Sequence, residues 1–346
     1  MNLYIYTIEE SSEWDKRVKS FDNYDVYWLS GYVRAFWLHG DGEPLLFYYN
    51  NGKVRGMNVV MKRDIARDIH FYNKIKLNSL YDFSSPYGYG GWIIEGDGIA
   101  ELFNEYEKWC VQNNIICEFV RFHPIIKNQL LCEPEYSVVE LGNVVTMDIS
   151  SPDIIWSNLT SKNRNVIRKA IKNGVKIYNG RYPELLDKFK KIYDRTMDKD
   201  CANQYYYFEK NFYESILEDL PYNSQIFYAV YDGKIISASI MIMANGKINY
   251  HLSGSLKEYS NLAATNLLLY HTALWGCENG YKTLYLGGGV GSNEDSLFKF
   301  KRAFYRKDNL NKFHIGTKIF NQEEYEELVK LRGDVGESQF FPRYRA

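Results

Sequence analysis

The stretch Leu286 to Tyr305 reads LGGGVGSNEDSLFKFKRAFY and sets four glycines ahead of acidic and then basic-aromatic residues. Gly287, Gly288, Gly289 and Gly291 follow a predicted strand, KTLYL, in the spacing GGGxG. Neither the dinucleotide fingerprint GxGxxG nor a phosphate loop ending in GK[ST] is present. Glycines at a strand end let backbone come close to a ligand, so Gly288 and Gly289 are expected to line a substrate. NEDSLFKFKRAF then opens as a helix, with Ser292, Asn293 or Asp295 as cap and Phe300 and Phe304 four apart on one face. Asp295 is thus a candidate cap and a candidate base. Lys301, beside Phe300, reads either as a solvated lysine or as an ammonium aimed at a substrate anion.

Three further groups could do chemistry. In INYHLSGS, Tyr250 and His251 lie on a predicted strand, where neighbours point to opposite faces, so only one faces a given cleft. His251 is expected to accept a proton near neutral pH. Between Lys162 and Lys176 stand six basic residues and no acidic one, with Arg164, Arg168 and Lys172 four apart on one helix face. That spacing fits a solvated face or a site for phosphates, to which the planar guanidinium is suited. In CANQYYYF three successive tyrosines cannot all face one core, and Tyr207 is expected to turn its hydroxyl to a cleft. HExxH, GxSxG and aspartate-rich metal patterns are absent, so no metal is expected.

The elements that must position these residues repeat. PLLFYY, the turn at Asn50 to Gly52, and KVRGMNVVM read as a β-hairpin, and so do SQIFYAVY, Asp232-Gly233 and KIISASIMIM. Each hairpin leads to a further extended segment, then a helix and a strand. AELFNEYEKWCVQNNIICEFVRF and TNLLLYHTALWGCENGYKTLYLGG align without a gap, matching Trp109 to Trp275, Asn113 to Asn279 and Phe119 to Tyr285. Hairpin, strand, helix, strand is an α+β unit, not a doubly wound one. The division is expected near Ser150, since Ser151-Pro152-Asp153 is a helix start with proline at its first position. The two domains are therefore 1–150 and 151–346.

At 346 residues, with 45% hydrophobic and 25% charged residues, the chain has the composition of a globular protein. A net charge of −1 provides no overall field for DNA or an anionic membrane, so any anion site is local. The longest apolar run, IISASIMIMA, is too short to span a bilayer. The N-terminus lacks the basic and apolar regions of a signal peptide. Five scattered cysteines without CxxC spacing read as thiols of a reducing cytoplasm.

RNVIRKAIKNGV, DRTMDKDCANQYYYF, NYHLSGS and LGGGVGSNEDSLFKFKRAF together resemble the GNAT-like acyltransferases of the FemABX class, with PYGYGGW and FVRFHP as matching segments of the first half. The resemblance runs from about residue 40 to 330 and is spread over many segments. It implies two tandem GNAT-like domains with mixed, mostly antiparallel sheets and flanking helices, the second carrying most of the active site. It also implies transfer of an activated acyl group to an amino group of a cell-envelope precursor, of peptidoglycan or of an amino or nucleotide sugar. The donor would be acyl-CoA or aminoacyl-tRNA, which makes tRNA a possible partner. Lys301 takes the position of a lysine that contacts the phosphate-bearing substrate. Two features depart from the wider family: no long helical arm is inserted, and the Gln/Arg-xxGxG/A pyrophosphate loop is not evident. A site of this kind uses parted strands whose free backbone N–H groups face the acyl carbonyl, so it needs no universal catalytic side chain. The other reading is a non-catalytic module of the same fold that holds an anionic glycan precursor.

Overall fold

In the computed structural model, which describes residues 2–334, 336 and 338–346, the chain forms two units, Met1–Leu141 with Phe313–Ala346 and Gly142–Lys312. In chain order the elements begin with β1 (Leu3–Tyr6), α1 (Ser11–Lys19), α2 (Ser30–His39), β2 (Glu43–Asn50), β3 (Val54–Asp64) and β4 (Tyr81–Ser84). Next come β5 (Ile93–Gly96), α3 (Ile99–Gln112), β6 (Ile115–Arg121) and β7 (Ser137–Asp148). The second unit continues with α4 (Pro152–Asn158), α5 (Ser161–Lys172), β8 (Lys176–Gly180), α6 (Pro183–Lys199) and α7 (Lys210–Glu218). It ends with β9 (Ser224–Tyr231), β10 (Lys234–Ala244), β11 (Lys247–Ser255), α8 (Ala264–Glu278), β12 (Thr283–Gly287) and α9 (Ser296–Arg302). Last are β13 (Asn311–Ile319) and α10 (Gln322–Arg332).

The units differ from the expected 1–150 and 151–346 in two respects. The chain crosses into the second unit inside β7, and from Phe313 onward it belongs to the first. The returning segment is tied there by β13 pairing with β6, from Ile315 opposite Arg121 to Ile319 opposite Cys117. Its end is tied by Arg345, whose guanidinium meets Asp82 at 2.6 Å and Asp68 at 3.0 Å.

Strands of the first unit run in the order β1-β2-β3-β4-β6-β13, with β5 on β3, and those of the second in the order β7-β12-β11-β10-β9-β8. Within each unit's path one pair is parallel, β4 with β6 and β11 with β12. Each of these pairs is bridged by a helix, α3 or α8, as a parallel connection requires. The predicted repeat thus exists as structure. In both units a hairpin feeds a third antiparallel strand, a crossover helix and a parallel return.

The residue matches have geometric counterparts. The side chain of Asn113 donates to the Trp109 carbonyl at 2.8 Å, and that of Asn279 donates to the Trp275 carbonyl at 2.8 Å. Both asparagines close their helices. Trp109 meets Phe47 of β2 edge-on at 4.9 Å, and Trp275 meets Phe227 of β9 edge-on at 5.3 Å. Each tryptophan therefore packs its helix on the first strand of its own hairpin. The apolar residues around them form a separate core in each unit, one with Phe47, Phe83 and Tyr106, the other with Met147, Phe227 and Leu284.

Candidate functional site

The parallel pair of the second unit comes apart. Ladder pairs run from Lys247 with Thr283 to Asn249 with Tyr285, and among the described residues none follows, although β11 continues to Ser255 and β12 to Gly287. The first unit closes the same position. There β4 and β6 stay together to Ser84 and Phe119, then the Ser85 N–H donates to the Phe119 carbonyl and the Gly90 N–H to the Arg121 carbonyl, both at 2.9 Å. One repeat is zipped and the other is open, which singles out the mouth of β11 and β12.

A bulge in β11 sits at this mouth. Ile240 of β10 pairs with Leu252, but the next residue, Met241, pairs with Tyr250, leaving His251 as the extra residue. Such a bulge re-aims side chains. Tyr250 and Ser253, three apart, consequently share a face, and the Ser253 and Ser239 hydroxyls partly offset the burial that raises the Tyr250 pKa. Those serines are 2.8 Å from each other. The bulge interrupts the period-two alternation on which the expectation for Tyr250 and His251 rests, so residues beyond it exchange faces. The expected titration of His251 is corrected: burial lowers its pKa to about 3, so the imidazole is neutral at physiological pH and a weak base.

Beyond β12 lies the glycine run. Gly287 has φ +79°, a conformation that favours glycine, and turns the chain out of the strand. A side chain at Gly289 would collide with the Asn293 carbonyl and the Asp295 carboxylate, so that glycine is required by its own loop. This is a reason for Gly289 that the substrate-lining expectation did not contain. Asp295 caps α9, accepting from the N–H of Phe298 at 2.9 Å and of Val290 at 3.2 Å. The bond from the Phe298 N–H, above all, holds its carboxyl below the usual range. Both oxygens are thus committed to backbone, and the cap reading of Asp295 replaces the base reading.

Lys301 stands apart from its neighbours. It is 8% exposed, whereas Lys299 on the same helix is exposed. Its ammonium donates to the Gly288 carbonyl at 2.6 Å and lies 3.4 Å from where a side chain on Gly287 would begin. Burial lowers its pKa to about 8, against the opposing pull of the Asp295 charge. An ammonium has three donors, and one is used on Gly288. The arrangement therefore places a buried, still protonated cation on the glycine run, at the end of the strand that parts from β11.

The basic segment folds as α4 and α5. Ser151 caps α4 by accepting from Ile154, and Thr160 caps α5 by accepting from Asn163. Arg164 donates to the Ser161 hydroxyl at 3.1 Å, and Arg168 to the Asn165 side chain at 3.3 Å while lying 5.1 Å from the centre of the Trp156 ring. Among the described residues neither guanidinium is paired with a carboxylate. Asn163, which the sequence reading missed, joins this helix to the site. Its side-chain carbonyl accepts from Asn266 near the start of α8 at 2.8 Å, and its amide donates to the Ala303 carbonyl just past α9 at 3.3 Å. The signal for it was weak: an asparagine third after a threonine cap, facing the same side as Ile167 and Ala170. Tyr207 is not part of this group. Its hydroxyl donates to Asp198 at 2.8 Å and ties its loop to α6, in place of the cleft-facing hydroxyl expected.

The chain is similar to several known proteins. Residues 161–330 match the family model described as an acetyltransferase (GNAT) domain. A curated relative, the UDP-N-acetylmuramoylpentapeptide-lysine N(6)-alanyltransferase of Weissella viridescens, is 26% identical over 175 residues, 49% of this chain and 50% of the relative. The chain thus matches about half the length of that relative. The crystal structure of FemX aligns with a TM-score of 0.68 at 15% identity, over 94% of this chain and 99% of that one. L-PGS from Bacillus licheniformis aligns with a TM-score of 0.58 at 14% identity, covering 93% and 96%. The segment matched by the GNAT model takes in most of the second unit and runs into the returning segment of the first, and the α+β fold of the chain is the fold of FemX. The chain is thus similar to FemX in fold and to a GNAT domain over residues 161–330.

Proposed function

We infer that this protein is an N-acyl- or aminoacyltransferase that moves an activated acyl group onto an amino group of a cell-envelope precursor. One observation carries the reading: a buried Lys301 ammonium held on Gly288 at the end of a strand that parts from its parallel neighbour. In the reaction the acceptor amine attacks the donor carbonyl, the carbonyl oxygen gains negative charge, and collapse expels the donor's alcohol or thiol. Parted strands offer backbone N–H groups to that oxygen, and oriented donors of this kind commonly supply the largest rate effect. Lys301 adds a cation for the oxygen or for an acceptor phosphate. Arg164 and Arg168, without carboxylate partners among the described residues, are suited to the donor's or acceptor's phosphates.

The name of the Weissella relative favours a lysine N6 amine of a UDP-linked muropeptide as acceptor and an aminoacyl donor, hence aminoacyl-tRNA before acyl-CoA. The test is direct. Purified protein is incubated with UDP-N-acetylmuramoyl-pentapeptide and either charged tRNA or acyl-CoA, and product mass is read. Addition of one aminoacyl or acyl group supports the reading. Acceptor binding without turnover of any donor would make the chain a binding module instead.

A further inference from the structure

The connection between β3 and β4 lies outside the site just described. Phe71 fixes its middle, being fully buried in a cluster with Ile65, Ile116, Cys117 and Tyr344. Around that anchor three apolar side chains face water: Ile69 is 85% exposed, Tyr72 72% and Leu77 57%. Scattered exposed apolar residues are ordinary, but here three large ones stand within nine residues of one pinned connection, each left exposed by the described residues. Such surfaces mark contact sites.

The charges of the same connection are sorted by direction. Asp64 accepts from the N–H groups of Ala66 and Asn78, and Asp68 accepts from the His70 N–H and from Arg345. Both carboxylates are thereby drawn into the fold. Lys74 and Lys76 are exposed, and among the described residues neither has an ion-pair partner. Arg67 is also exposed, 3.6 Å from Asp64. Outward cations beside outward apolar side chains, with tyrosine among them, suit an anionic bilayer face. There ammonium groups sit among lipid phosphates while apolar groups reach the acyl boundary. A soluble polyanion would use the cations and leave Ile69 and Leu77 in water.

We propose that the β3–β4 connection docks this protein on anionic membrane surfaces, with Ile69, Tyr72 and Leu77 inserted and Lys74 and Lys76 at phosphate level. The docking stands independently of the transferase reading.

The test is co-sedimentation of the full chain with vesicles of phosphatidylcholine containing phosphatidylglycerol, against phosphatidylcholine alone. Binding is expected only to the anionic vesicles and to weaken with salt, because surface charges are screened. Joint change of Ile69→Ser, Tyr72→Ser and Leu77→Ser is expected to lower partition by at least about tenfold. Lys74→Gln with Lys76→Gln is expected to lower it and to flatten the salt dependence. Circular dichroism checks that these surface changes leave the fold intact, and turnover of a water-soluble acceptor should be unchanged in both variants. Equal partition of parent and variants, or no sedimentation of the parent, overturns the proposal. So does a concentration-dependent dimer that the triple variant abolishes, since that makes the surface a self-interface. The vesicle assay needs no donor or acceptor, so its outcome is separate from that of the transferase assay.

Discussion

A lysine ammonium held by one backbone carbonyl in a buried position is costly to the fold. Lys301 titrates near 8 in place of its ordinary 10.5 because burial penalises the charge. The folded-state pKa is depressed, so the unfolded chain binds more protons between these two values and stability rises with pH across that window. Relative to Lys301→Met, the native protein should therefore gain stability from about pH 8 to 10.5, by roughly 3 kcal/mol at one pH unit per 1.36 kcal/mol. Urea midpoints of both proteins at pH 7 and pH 10 measure the difference, and parallel midpoints would refute the burial. The same variant tests function. A charge-assisted hydrogen bond is worth roughly 1.5–3 kcal/mol, so Lys301→Met should lower kcat/KM by about ten- to a hundred-and-fifty-fold. Lys299→Met, at an exposed position two residues away, should be nearly silent. Equal losses at both positions would point to general electrostatics instead.

Two elements carry the remaining site residues, and each separates binding from folding. On α5, changing Arg164 and Arg168 together to glutamine should weaken binding of a phosphate-bearing ligand, read by calorimetry. Stability should move by under about 0.5 kcal/mol, as for other surface changes. Unchanged affinity would return α5 to a solvated face. On α9, Asp295→Ala should lower the thermal midpoint through loss of the cap while kcat stays close to that of the parent. Its carboxyl is held below the usual range, so the cap's contribution is present above that range and fades as pH falls through the folded value. A large loss of kcat without loss of stability would restore Asp295 as a base. These elements also show what sequence could tell. Asn51-Gly52 and Asp232-Gly233 declare their hairpins because their turns need positive φ, and the matched Trp109 and Trp275 declare the repeat through one packing solution used twice. Lys301 stood out by its place between two aromatics. The bulge at His251 was not legible, since it exists only in the pairing of β11 with β10. Asn163 was hidden for a similar reason, as its partners lie on α8 and past α9.

At the scale of the whole molecule, the first unit is built from both ends of the chain. Nothing in the residue types of β13 or α10 says which half they join; the tie is made by partners far away in sequence. Arg345 and Asp82 are one such tie, with Arg63 as a third member at 2.7 Å from Asp82. Burial pushes the Asp82 carboxyl up, but the two guanidinium groups outweigh it and hold the pKa below its ordinary value. Removing one partner of a buried pair typically costs about 3–5 kcal/mol. Arg345→Ala should fall toward the lower end because Arg63 remains, with amide exchange rising in β4, β6 and α10. Unchanged exchange there would show that the terminal segment decorates the unit and does not hold it. The return of the chain also bears on synthesis at the ribosome. Domains generally fold in the order in which they emerge, N-terminal first. Here every residue of the second unit has been made before Phe313 appears, while the first unit still lacks β13 and the Arg345 clasp. The later unit can thus be complete while the earlier one waits, with the exposed edge of β6 left for the last strand to cover.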